Sequence, residues 1–213
     1  MNNLIKSRKI VQWISLIGVL GVIFYMIHVF VGASLYPGYS HIKQAISDLT
    51  ADGVSSASVA KIFTGLYGAC MVIGSIAMCI YYRKNCNKYF YGGIILFTLM
   101  QITSAVGYRL FPLTKATDST TNITEFQDIM HLAITAVVVI LTIIALILLA
   151  IGSFKDKKKC FGFISIVTLI CLALGGIGTG AVPKDYLGLF ERINIFSLQI
   201  FSIILSIWTF VRK

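Results

Sequence analysis

The chain has 213 residues, of which 57% are hydrophobic and only 12% charged, with a formal net charge of +10 and a mean hydropathy of +0.88. A soluble domain is about a quarter charged, so this composition excludes a soluble globular protein and reads as an integral membrane protein. The positive balance does not point to nucleic acid as a partner, because the basic residues sit in short segments between apolar runs, as membrane topology requires.

The predicted elements follow from those runs. Lys6, Arg8 and Lys9 precede an apolar stretch over about 10–32. A signal-peptide core is only about 7–15 residues long, so this stretch is expected to be a retained first span. Its Gly18, Gly21, Tyr25, His28 and Gly32 recur at spacings of three and four, a small-and-polar stripe of the kind that faces neighbouring helices. Tyr36–Gly53 then opens on Pro37-Gly38. Ile42, Ala45, Ile46 and Leu49 repeat at i, i+3, i+4 and i+7, which predicts a short amphipathic helix lying on the membrane surface. His41, Asp48 and Asp52 fall on the flank of that face, within a wedge of roughly 40°.

Further spans are expected at about 57–82, 89–108, 126–153, 160–182 and 187–210. Span three carries Gln101, Ser104 and Tyr108 on one face. The fourth opens with Asp128 and His131, at i and i+3 and therefore on one face. Span five ends in a glycine-rich stretch whose Gly176 and Gly180 form a GxxxG pair, predicting close packing there. The last opens with GLFERIN. The expected fold is all-α: a single integral membrane domain over 1–213, built as a six-transmembrane-helix bundle.

The termini and the links at Arg83–Lys88 and Lys155–Lys159 hold twelve of the eighteen basic residues. By the positive-inside rule that side is cytoplasmic, in a multi-pass protein of the cell membrane. Five cysteines, Cys70, Cys79, Cys86, Cys160 and Cys171, form no CxxC motif or disulfide framework and read as packing residues. Asn122-Ile123-Thr124 is a glycosylation sequon.

Ionisable side chains near membrane-embedded helix ends are costly unless paired or solvated, which makes them candidates for function. His28, His41, Asp48, Arg109, Asp128, His131, Glu191 and Arg192 form such a group. In an enzymatic version His131 is the base, Asp128 or Asp48 orients it, and Ser47 is a nucleophile. Arg109 or Arg192 then holds a phosphate or carboxylate, with Glu191 and His28 beside the substrate. His28, His41 and His131 are also the set to consider for a divalent metal such as zinc, although no HExxH or similar spacing occurs. The competing explanation is that all these groups are ion pairs and hydrogen bonds stapling helix ends together.

YPGYSHIKQAISDLTADG after span one, GYRLFP after span three, DIMH opening span four and GLFERI opening span six together resemble the six-span bacterial and archaeal membrane proteins grouped as domain of unknown function 998. The resemblance covers nearly the whole chain. It implies that Ser47, Asp48, Phe111, Pro112, His131, Glu191 and Arg192 are the recurring positions. Many relatives carry an acidic residue soon after the Phe-Pro, where this chain has Leu113-Thr114-Lys115. The six-span plan is also distantly similar to the Frag1/DRAM-like proteins, some linked to lipid remodelling. Residues and resemblance together lead to the expectation of a polar outer-leaflet pocket for a membrane lipid or other amphiphile, in the enzymatic version a membrane-embedded lipid hydrolase or transferase. The alternative is a non-enzymatic accessory, sensor or transport protein. Oligomeric state is not legible in these residues.

Overall fold

The computed structural model describes residues 2–116, 125–181 and 183–212; the sequon at 122–124 lies outside them. Among the described residues, seven α-helices account for six spans. The first two, α1 (Asn2–Ser15) and α2 (Ile17–Leu35), are separated by Leu16 alone and together supply the first span, Lys9–Leu35. The others are α3 (Ala57–Tyr82), α4 (Lys88–Leu110), α5 (Phe126–Lys155), α6 (Lys159–Ala181) and α7 (Leu187–Val211). Each span is long and apolar enough to cross a membrane, and the chain is a six-span membrane protein.

The spans form a closed ring in chain order. α2 packs on α3, α3 on α4, α4 on α5, α5 on α6, α6 on α7, and α7 returns to α2. Close approach sets these contacts where glycine removes the side chain. A Cβ on Gly152 of α5 would lie within 2.6 Å of the Phe90 backbone of α4, which no rotamer change relieves. The GxxxG expectation needs correcting. Gly175 and Gly178 are the glycines of α6 that meet α7 closely, at Asn194 and Phe190, whereas Gly180 has open space beside it and Gly176 only a distant Asn194 amide.

The half of the interior nearer the termini is sealed by rings. Tyr82, Phe90, Phe161, Phe201 and Phe97 are almost fully buried and follow one another at centroid distances of 4.9, 5.8, 5.6 and 6.2 Å. Hydroxyls among them are satisfied within their own helices: Ser165, Ser202, Ser206 and Thr209 each donate to the carbonyl four residues back. The link α3–α4 closes on α5 through Asn87. Its Oδ1 accepts from the N–H groups of Tyr89 and Phe90, and its Nδ2 donates to the Gly152 carbonyl and to Asp156.

At the opposite end the connection between α2 and α3 is not the continuous amphipathic helix that its periodicity predicts. It is a series of turns with one four-residue 3-10 helix, Ser47–Thr50. Ala45, Ile46 and Leu49 are buried, but Ile42 is 51% exposed. The segment therefore has no single apolar face to lay on a bilayer; it is fitted into the mouth of the ring.

Candidate functional site

Two loops close the mouth, and each is held by the start of a different span. Around the first loop, the Glu191 carboxylate on α7 accepts the N–H of Ile46 at 2.5 Å, with the Ser47 backbone beside it. Arg192 Nη1 donates to the Gln44 carbonyl at 3.0 Å and to the Gly188 carbonyl at 2.8 Å, and Nη2 to the Tyr39 hydroxyl at 2.8 Å and to His41 Nδ1 at 3.0 Å. Since a guanidinium only donates, His41 Nδ1 must accept, which leaves the ring proton on Nε2. Burial pushes the Tyr39 phenol up to about 12, so it stays protonated as a partner for Arg192. Leu189 N–H meets the Ile42 carbonyl at 2.9 Å. Gly188 allows the approach, as a Cβ there would sit 2.2 Å from the Gln44 carbonyl oxygen. Asp48, fully buried, folds back to accept the Ala45 N–H at 3.0 Å. Together these bonds place Ile46 as a plug against Tyr25 and Val29, with Tyr67, Ile195 and Phe196 around it.

The second loop is held in the same way by α5. Asp128 accepts from the Thr114 N–H at 2.8 Å and from its hydroxyl at 2.6 Å, one bond to each oxygen. His131 Nδ1 lies 2.9 Å from the Phe111 carbonyl, with its ring 4.9 Å from that of Tyr108. Asp52 joins the two loops. Its N–H donates to the Leu113 carbonyl at 2.9 Å, and its carboxylate receives Lys61 at 2.6 Å and Gln127 at 3.3 Å. The Lys61 bond holds the Asp52 carboxyl below the usual carboxylate range.

The expected site residues are thus divided between two docks. His41, Ser47, Asp48, Glu191 and Arg192 belong to the first, Asp128 and His131 to the second. His28 lies below the first dock, its ring 5.3 Å from Tyr25. Arg109 is exposed at the end of α4, against Gly65 of α3. The hydrogen bond that orients His131 comes from the Phe111 backbone; neither Asp128 nor Asp48 supplies one among the described residues. Nor, among those residues, does any group of three or more His, Cys, Asp and Glu stand where it could hold a metal ion. The shared zinc set of His28, His41 and His131 is not formed.

Beneath the Ile46 plug the interior is polar. Gln199 Nε2 donates to the Tyr67 hydroxyl at 3.0 Å, and the Tyr67 ring lies tilted 4.8 Å from that of Tyr25. In the loop half of the bundle, several buried atoms have no partner among the described residues: both ring nitrogens of His28, Gln199 Oε1, Gln101 Nε2 and Arg192 Nε. His28 is seven residues from the end of α2 and Gln199 twelve from the start of α7, depths of about 10 and 18 Å at 1.5 Å per residue. Tyr67 and Gln199 are absent from the sequence-derived candidates. A lone amide inside the apolar IFSLQIFS run was the available signal for Gln199.

Comparison with known proteins adds one finding. The family model described as protein of unknown function (DUF998) matches residues 19–208. No curated protein and no solved structure matches the chain, so the expected similarity to Frag1/DRAM-like proteins is not shown.

Proposed function

The chain belongs to the DUF998 family, and from its own geometry we propose that it binds a lipid or other amphiphile whose hydrogen-bonding headgroup enters the polar half of the ring. The observation that carries this reading is His28: it is 2% exposed and both its nitrogens are unpartnered. A buried polar group without a partner costs about 1–3 kcal/mol, and in a membrane no bulk water is at hand to offset that. A ligand offering both a donor and an acceptor removes the cost at His28 and also serves Gln199 and Arg192. The first loop is the lid and Ile46 its plug. Because basic residues crowd the terminal end, the lid faces the outer leaflet.

Binding is better supported than chemistry. Asp128, His131, Glu191 and Arg192 are all committed to backbone groups of the loops, which favours the staple explanation for those four. The aromatic seal below Gln199 also speaks against a route through the bundle, and so against transport.

The test is a single-chain lipid carrying a photoactivatable headgroup, offered to the full chain in vesicles, with crosslinks mapped by mass spectrometry. Wild type should crosslink at Tyr25 and Tyr67, and His28→Leu should lower that yield about tenfold, the factor that loss of roughly 1.4 kcal/mol of binding produces. Crosslinks at lipid-facing Ile62 serve as the internal standard. Equal labelling of Tyr25 and Tyr67 in a folded His28→Leu protein would overturn the reading.

A further inference from the structure

Outside the ring, α3 and α4 form a second feature that neither loop dock uses. A groove of about 440 Å³ is lined by Lys61, Ile62, Gly65, Leu66 and Arg109. Ile62 and Leu66 are 62% and 42% exposed, so the groove has an apolar floor on the membrane-facing surface. Lys61 is the fifth residue of α3 and Arg109 the last but one of α4, which sets both cations in the turns nearest the loop end of the bundle, at headgroup depth.

The two cations differ in what they already hold. Lys61 is spent on Asp52 at 2.6 Å. Among the described residues, no carboxylate lies within ion-pair distance of Arg109. Its guanidinium rests over Gly65, where even a Cβ would come within 3.1 Å of Nη1. Glycine therefore lets the charged head lie against α3, at the top of the apolar floor, instead of extending into solvent. An arginine offers a planar, two-pronged donor set that suits phosphate oxygens. We propose that this groove is a binding site for an anionic phospholipid of the adjoining leaflet. Its phosphate sits on Arg109, and the upper part of one acyl chain lies along Ile62 and Leu66. Charge complementarity selects the occupant, because a zwitterionic lipid brings its own cation to a site whose second cation, Lys61, is already paired.

This inference does not rest on the binding proposed beneath the Ile46 plug, and its test uses a different readout. The full chain is reconstituted in vesicles of phosphatidylglycerol and phosphatidylcholine with matched acyl chains, then extracted in mild detergent, and its retained lipids are counted by native mass spectrometry. Wild type should retain phosphatidylglycerol about tenfold over its share of the vesicle, Arg109→Gln should fall to parity, and Arg109→Lys should keep part of the preference, as a point charge without the fork. Gly65→Leu fills the groove while leaving Arg109 in place, pressing only on the flexible end of that side chain; it should also fall to parity and covers the case in which Arg109→Gln does not fold. Undiminished preference in either folded variant overturns the proposal. So does displacement of the retained lipid by inorganic phosphate, which would show a site for the free anion.

Discussion

The two halves of the ring interior are built by opposite rules. In the half nearer the termini, rings fill the space and the hydroxyls of Ser165, Ser202, Ser206 and Thr209 return to their own helices. Unpartnered polar atoms do occur there, on Ser153, Trp208 and Arg212, but these lie in the last turn of α5 or at the end of α7, within reach of interfacial water. In the loop half Arg192 Nε is likewise close to a helix start, but the unpartnered atoms of His28, Gln101 and Gln199 lie about two or more turns from a helix end. One half spends its side chains on closure. The other leaves hydrogen-bonding capacity open at depth and covers it with a loop that is bonded to α7 but not continuous with it. The first arrangement serves stability; the second holds the groups that the fold itself has not used, on which the binding proposal rests.

The largest effect that sharpens this contrast is expected from Gly152→Leu. The Phe90 backbone cannot move aside, so α4 and α5 should separate and little folded protein should be recovered in detergent. Gly180→Leu, with open space beside it, should give normal yield and thermal stability. If both variants behave alike in size-exclusion recovery and thermal unfolding, close packing does not distinguish one part of the ring from another.

A middle-sized effect is expected at the lid. Glu191→Ala removes the acceptor for the Ile46 N–H and leaves that donor buried, a cost of about 1–3 kcal/mol confined to the loop. Hydrogen exchange at residues 44–48 should rise steeply while the aromatic half stays protected. Glu191→Gln keeps an acceptor oxygen and should lie between the two. Exchange that rises equally in both halves would mean that the lid and the seal are one cooperative unit.

Much of this was legible in the residues and some was not, for separable reasons. All six spans were, because apolar length alone decides whether a helix can cross; the expected 57–82 is α3 to the residue. The first loop misled because Ile42, Ala45, Ile46 and Leu49 are spaced as a helix repeats, yet Ile42 is exposed and the other three are buried in the mouth of the ring, Ile46 against α2 and α7 and Leu49 against α2. Burial from different directions imitates an amphipathic face. The Gly176–Gly180 pair failed because α6 is apolar all round, so its sequence does not say which side meets α7. Glu191, Arg192, Asp128 and His131 stand out in the sequence as polar groups needing an explanation. Their partners are backbone atoms of Gln44, Ile46, Phe111 and Thr114, and a backbone carbonyl or N–H leaves no trace in a sequence.

The smallest effect, and the finest test of the lid, concerns His41. Partial burial, and then the Arg192 charge beside it, hold its pKa below the ordinary 6.5. The structure gives the reason: Nδ1 accepts from Arg192, and a protonated ring can no longer accept there. A group whose pKa is lowered by docking binds fewer protons docked than free. Its contribution is complete above the free value of about 6.5 and is lost as the pH falls through that value toward the docked one. The other charges facing this point are Arg192 and Glu191 from α7 and Asp48 and Lys43 from the loop, with Asp185 paired to Lys43 at 2.9 Å. Asp52, held low by Lys61, loses its contribution in a more acidic window and lies at the other end of the loop. His41→Asn retains an acceptor but cannot gain a proton near neutrality. The ratio of wild-type to His41→Asn exchange at residues 44–48, taken at each pH so that intrinsic rates cancel, should therefore rise between about pH 7.5 and pH 5.5. A flat ratio would mean that Arg192 holds the loop through Gln44 and Tyr39 alone, with His41 a bystander.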